Sequence, residues 1–188
     1  MELIHEIVPT GEHARNSEGA FLRRQDGKIR FFWSRFGAGF WDHDYSDIVS
    51  IDFSADGKTC LGEEKVHFRA EELGAKNLMC PSVVPTDGGI LLYFLVRPDD
   101  LNIIPYVAFS ADDGETFSAP HRCVENDGYM VLENDRVIRL SDGRYFFMVS
   151  TADTAPDENG EPVIIDHSVV SSYISDNGYD FRLGICSG

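Results

Sequence analysis

The chain has 188 residues, 43% of them apolar, enough to bury the core of one domain. A formal net charge of −16 and a pI near 4.6 argue against nucleic acid or an anionic membrane surface as the main partner. No apolar run approaches the roughly 20 residues a membrane helix needs, and the opening MELIHEIVPTGEHARN lacks the layout of a secretion signal.

In chain order, the first patterned segment is GAFLRRQDGKIRFFWSRF, Gly19 to Phe36, two short strands around an Asp26-Gly27 hairpin turn. YSDIVSIDF and the turn SADGKT follow, then RAEELGAK, a helix of two turns at most. The pattern restarts with PSVVPTDGGILLYFLVR, Pro81 to Arg97, turning at Gly88, followed by NIIPYVAF and SADDGETF. A third copy, DRVIRLSDGRYFFMVST, Asp135 to Thr151, turns at Asp142-Gly143. By composition TADTAPDENGEP reads as a mobile polar loop, and DHSVVSSYI with SDNGYDF complete the unit.

Four strands repeated three times, with no convincing helical period, predict an all-β fold of β-propeller type. The expected blades span about 16–68, 77–124 and 129–186, within a single partial propeller over 1–188. Three blades are too few for the usual ring of four to eight, so two sheet faces are left open. Two chains meeting around a two-fold axis would close a 3+3 ring, and a homodimer is the expected partner arrangement.

SADDGETF forms the turn between the third and fourth strands of the second unit. Asp bonds the backbone two residues on, Gly supplies a positive φ, and Thr-Phe re-enters a strand. The spacing Ser110, Asp112, Gly114, Thr116, Phe117 resembles the Asp-box of sialidases and related BNR-repeat proteins, in their bacterial sialidase-like branch. SADGKT reads as a copy one residue short. The third copy aligns Asp176, Gly178 and Phe181, with Ile174 and Asp180 at the Ser and Thr positions.

That resemblance implies a six-bladed propeller, an exo-glycosidase site on the central axis, and no metal or organic cofactor. It also implies a Tyr nucleophile helped by a Glu, an Asp acid/base, and arginines that fork a substrate carboxylate. The family's first-strand Arg motif is absent, Ser17 standing there with Arg15 and Glu18 nearby. Arg35, in FWSRF, matches a substrate-facing Arg, and the loop GAGFWDHDYSD makes Asp42 or Asp44 the acid/base. LENDRVIRL puts Glu133 and Arg136 at an inner strand. The implied catalytic set is therefore Asp44, Asp42 and Glu18. Arg35, Arg15, Arg136 and Glu133 would hold the substrate. The Tyr nucleophile and remaining arginines belong to blades this chain lacks.

A relaxed calcium-loop pattern from Asp52 to Glu63 is rejected, because SDIVSIDF before it alternates like a strand. The six histidines have no zinc spacing, and there is no Gly-x-Ser-x-Gly or P-loop. Cys60, Cys80, Cys123 and Cys186 form no CxxC pair, so free thiols in a reducing, cytoplasmic compartment are expected. The expected function is hydrolysis of an acidic or otherwise substituted glycan. The alternative is a carbohydrate-binding or interaction propeller without catalysis.

Overall fold

A computed structural model describes residue 3 and residues 5–184, with the backbone alone at Glu18. Glu18's side chain and Cys186 therefore lie outside the described residues. Cys60, Cys80 and Cys123 are not joined in disulfides. The architecture is all-β: three antiparallel sheets stand in chain order, none of them closed on itself. The first contains β1 (Asn16–Arg23), β2 (Ile29–Phe36), β3 (Ser46–Phe53) and β4 (Cys60–Phe68), each strand pairing with the next. The second repeats this order with β5 (Asn77–Thr86), β6 (Gly89–Arg97), β7 (Ile104–Ser110) and β8 (His121–Arg122). Between them RAEELGAK forms one 3-10 turn at Glu71–Leu73, stopped by Gly74 in the left-handed conformation. No helix among the described residues is long and apolar enough to cross a membrane.

In the third sheet the first strand is broken. β9 (Tyr129–Val131) and β10 (Ile138–Arg139) both pair with β11 (Tyr145–Pro156), followed by β12 (Pro162–Ser175) and β13 (Arg182–Leu183). The break matches register shifts at Asn16/Gly19 in β1 and Met79/Ser82 in β5. Positive φ at Cys80 and Asp135 marks two of these kinks, and they are joined by Asp135 N donating to Pro81 O and Arg136 N to Ser82 Oγ. TADTAPDENGEP is not a loop throughout. It extends the β11–β12 hairpin into an arm, and only the tip turns, capped by Asp157 accepting from Asn159 N and Glu161 N.

The sheets stack face to face, and β6 shows how. Ile90, Leu92, Phe94 and Val96 pack with Phe32, Ile48 and Phe68 of the first sheet. Leu91, Tyr93 and Leu95, on the other face, pack with Tyr145, Phe147 and Val149 of the third. A strand buried on both faces needs apolar residues at every position, which explains why GILLYFLVR shows no alternation.

Because each sheet is a simple meander, all β1–β2, β3–β4, β5–β6 and β7–β8 turns lie at one end, and the β2–β3 and β6–β7 loops at the other. At the turn end Ser110 Oγ donates to Asp112 Oδ1 and accepts from Gly114 N, while Asp112 accepts from Thr116 N and Oγ1. Phe117 then packs edge-on against Phe32 and His67. The third copy aligns differently from its sequence reading. Ser175, not Ile174, plays the Ser110 part, and Asn177, not Asp176, plays the Asp112 part. Its spacing is thus one residue short, like Ser54 with Asp56 in the first copy. A backbone amide needs only a carbonyl or carboxylate oxygen, so Asn substitutes for Asp.

The second copy also clasps two sheets together. Arg30, only 4% exposed, forks Asp52 through Nε and Nη2 at 2.6 and 2.8 Å. It also donates to Gly114 O and to Glu115 Oε1 on the SADDGETF turn. Arg24 bridges the same two carboxylates, and Lys65 adds a third cation on Glu115. Burial opposes ionisation of Glu115, but hydrogen bonds from Lys65 and Arg30 outweigh it and hold its pKa down at about 2.

Candidate functional site

At the loop end, residues 37–45 form a short, well-tied excursion between β2 and β3. Gly37 N donates to Tyr45 O and Gly37 O accepts from Ala14 N, so the loop's base is closed by backbone bonds. Within it Asp44 N donates to Trp41 O, and Trp41 N donates to Asp44 Oδ2 at 2.7 Å. Gly39 lies against that carboxylate so closely that an added Cβ would meet it at 2.3 Å. Asn77, buried at the start of β5, donates through Nδ2 to Asp42 O and Asp44 O, anchoring the loop on the second sheet.

This scaffolding presents two aromatics to water. Phe40 and Trp41 are 57% and 60% exposed, with ring centroids 4.9 Å apart. Beside them Arg15 Nη1 donates to Phe40 O and to Asp42 Oδ1 at 2.6 Å, while its guanidinium lies over the Phe36 ring. Two adjacent exposed aromatics on a loop tied down by hydrogen bonds make this end the candidate contact site. The neighbouring β6–β7 loop contributes Asp100, bound by Lys76 Nζ at 2.6 Å and by Arg97 at 3.4 Å. The Lys76 hydrogen bond, then the charges of Lys76, Arg97 and His43, hold the Asp100 carboxyl below its usual range. Burial and the Asp47 hydrogen bond push the Tyr45 phenol up to about 12.

Of the residues singled out from the sequence, Arg15 and Asp42 meet. Asp44 sits two positions away, with its carboxylate committed to the Trp41 turn. Arg35 makes its ion pair with Glu64 of β4 at 2.9 Å, on the face of β2 that also carries Phe31 and Trp33. Glu133 and Arg136 line a separate groove of about 530 Å³ with Val131, Ile138, Phe146 and Met148, on the outer face of the third sheet. Among the described residues no three His, Cys, Asp or Glu side chains are grouped to hold a metal ion.

Sequence reasoning missed Phe40, Trp41 and Asn77 as site residues. The only available signal was a pair of adjacent aromatics in a polar, glycine-rich loop, and exposure is not written in the residue types.

No protein-family model matches the sequence, and no curated protein is recognisably similar to it. Solved structures do match. A protein of unknown function from Dyadobacter fermentans aligns at 18% identity with a TM-score of 0.69, over 94% of this chain and 56% of that one. An α-L-arabinofuranosidase from Fusarium graminearum aligns at 12% identity and TM-score 0.56, over 83% and 45%. The polysaccharide lyase Uly1 aligns at 12% identity and TM-score 0.51, over 96% and 43%. The chain thus spans about half the length of the structures it matches. At these identities the likeness is one of fold: an all-β fold that this chain has in common with carbohydrate-active enzymes.

Proposed function

We propose that the chain is a carbohydrate-active half-propeller of the sialidase type that recognises an acidic or otherwise substituted glycan at its loop end. The observation that carries this reading is the exposed Phe40–Trp41 pair beside the Arg15–Asp42 ion pair. A pyranose ring has an apolar C–H face that packs on an aromatic ring, and its hydroxyls and any carboxylate need polar partners at the rim. In a chain of net charge −16, an anionic sugar requires a guanidinium, and Arg15 stands next to the platform. A sugar carboxylate would exchange with Asp42 for the Arg15 fork. The freed Asp42 carboxyl would then face the glycosidic oxygen as acid/base.

Binding draws on residues of this chain alone, whereas hydrolysis also needs a second reacting group to work with Asp42. The non-catalytic reading is favoured in the isolated chain by two observations. Asp44 is held by the Trp41 amide, and Arg35 by Glu64. A glycan array of acidic and neutral saccharides, with fluorogenic glycosides assayed in parallel, tests both. Retention of acidic glycans that Trp41→Ala abolishes supports the site. Turnover lost in Asp42→Asn with retention kept supports hydrolysis. An array on which no saccharide is retained overturns the reading.

A further inference from the structure

We propose that the outer face of the third sheet is a docking surface for a second copy of this chain, and that two copies close one ring. The inference is independent of what the loop end binds. It rests on an equivalence that the hairpin hydrogen bonds establish residue by residue. Arg24 N donates to Lys28 O and Gly27 N to Arg24 O. In the third sheet Leu140 N donates to Arg144 O and Gly143 N to Leu140 O. Phe146 and Met148 therefore occupy the places of Arg30 and Phe32, and alternation gives Leu91 and Tyr93 those places in the middle sheet.

Those places all face forward along the stack. Arg30 and Phe32 pack on the second sheet, and Leu91 and Tyr93 on the third. Tyr93 Oη donates to Gly178 O of the following sheet, as Arg30 donates to Gly114 O. Phe146 and Met148 present the same kind of face, with no sheet against it among the described residues, and Met148, Ile138 and Val170 are exposed. At the other end of the chain, Phe31 and Trp33 occupy the places of Leu92 and Phe94, which face backward. Ile7 and His5 already cover the outer part of that face, near Trp33 and Phe53, but Phe21 beside Phe31 is exposed.

One chain thus carries one forward and one backward face of an interface it uses twice internally, so a second copy supplies the complement of both. Charge agrees. Between the second and third sheets Arg139 pairs with Asp87 of the β5–β6 turn at 3.3 Å. Arg23 is the equivalent of Arg139, and Asp142, which also holds Arg144 of its own turn at 2.6 Å, lies at the turn equivalent to that of Asp87. Arg23 is exposed and, among the described residues, donates to Gly27 O within its own turn. In a ring, Arg23 of one copy would lie against Asp142 of the other. The matched structures are about twice this chain's length. Because forward and backward faces differ, two copies meet through two equivalent contacts around a two-fold axis.

Light scattering on the full chain at roughly micromolar to 100 µM concentration tests this, in the range where interfaces of such size hold. The expected particle has twice the 21.0 kDa chain mass. Met148→Glu and Phe21→Glu should each return it to the chain mass with unchanged far-UV circular dichroism, while Val163→Glu, on the protruding arm, stays dimeric. Should Met148→Glu fail to fold, the exposed pair decides. Arg23→Asp should weaken dimerisation about fivefold or more, and adding Asp142→Arg should restore it. A wild-type particle at the chain mass overturns the proposal. So does a mass that climbs with concentration, the mark of an open assembly, or a folded Met148→Glu that remains dimeric.

Discussion

Asp52→Ala removes the anion at the centre of the turn-end clasp and should be among the most destabilising single changes in the chain. Asp52 accepts from Arg30 Nε and Nη2 and from Arg24 Nη1, at 2.6, 2.8 and 2.6 Å. Arg30 is 4% exposed, so water cannot replace the lost partner. The substitution leaves Arg30 with Glu115 and Gly114 O, and Arg24 with Glu115 and the longer Asp113 and Asp26 contacts at 3.5 and 3.9 Å. Losing the closest anion of a buried charge costs about 3–5 kcal/mol. Glu115→Ala removes the other anion, but that side chain is 40% exposed, and its pairs are screened. Its cost should stay near 1 kcal/mol. Urea unfolding with linear extrapolation measures both. For a chain of this size, the Asp52 variant should also melt about 10 °C lower. The double change Arg30→Met with Asp52→Leu should recover most of the loss, since a well-packed apolar pair avoids desolvation altogether. An Asp52→Ala cost below about 1 kcal/mol, or one equal to that of Glu115→Ala, would refute the clasp.

His67 predicts a pH slope. Burial, then Arg30 and Lys65, lower its folded pKa from 6.5 to about 3, with Ser50 Oγ 2.8 Å from Nε2. The unfolded chain takes up a proton below pH 6.5 that the folded chain refuses, so stability is full above 6.5 and falls as pH drops. By pH 5 the loss should be about 2 kcal/mol, and His67→Gln should flatten that part of the curve. The same unfolding measured from pH 5 to pH 2 should show the clasp carboxylates failing, because Asp52 and Glu115 have lowered folded pKa values. Gly89→Ala should cost about 3 kcal/mol or more by calorimetry, since φ is +151° and the new Cβ would meet Ser110 O at 2.1 Å. Gly143→Ala, with φ +90° but open space around it, should cost about 1 kcal/mol.

Much of the strand order was legible because hairpin chemistry is local. Asp26-Gly27 and Asp142-Gly143 turn where an Asp-Gly pair favours turning, and both glycines hold φ near +90°. The second hairpin turns at Asp87-Gly88 as read, with the positive φ falling on the next residue, Gly89. The third Asp-rich turn was misaligned because Ser175 and Asn177 do the same bonding at a shorter spacing, which composition does not reveal. TADTAPDENGEP was read from its polarity, yet an arm with solvent on both faces can be polar and still paired. The site was only partly legible. Arg15 and Asp42 lie 27 positions apart, and no local pattern pairs them. Arg35 finds Glu64 instead because the strand alternation turns it onto the Phe31–Trp33 face.

The chain has two tryptophans, which makes the central claim directly measurable. Trp33 is buried and donates from Nε1 to Asn16 Oδ1, whereas Trp41 stands in solvent beside Phe40. A ¹⁵N-correlation spectrum should therefore show one protected indole N–H and one exchanging quickly with water. On titration with a sialylated oligosaccharide, the account predicts a saturable shift of the Trp41 indole while the Trp33 signal stays in place. A spectrum in which neither indole moves across a panel of acidic and neutral oligosaccharides would contradict a saccharide site at the loop end.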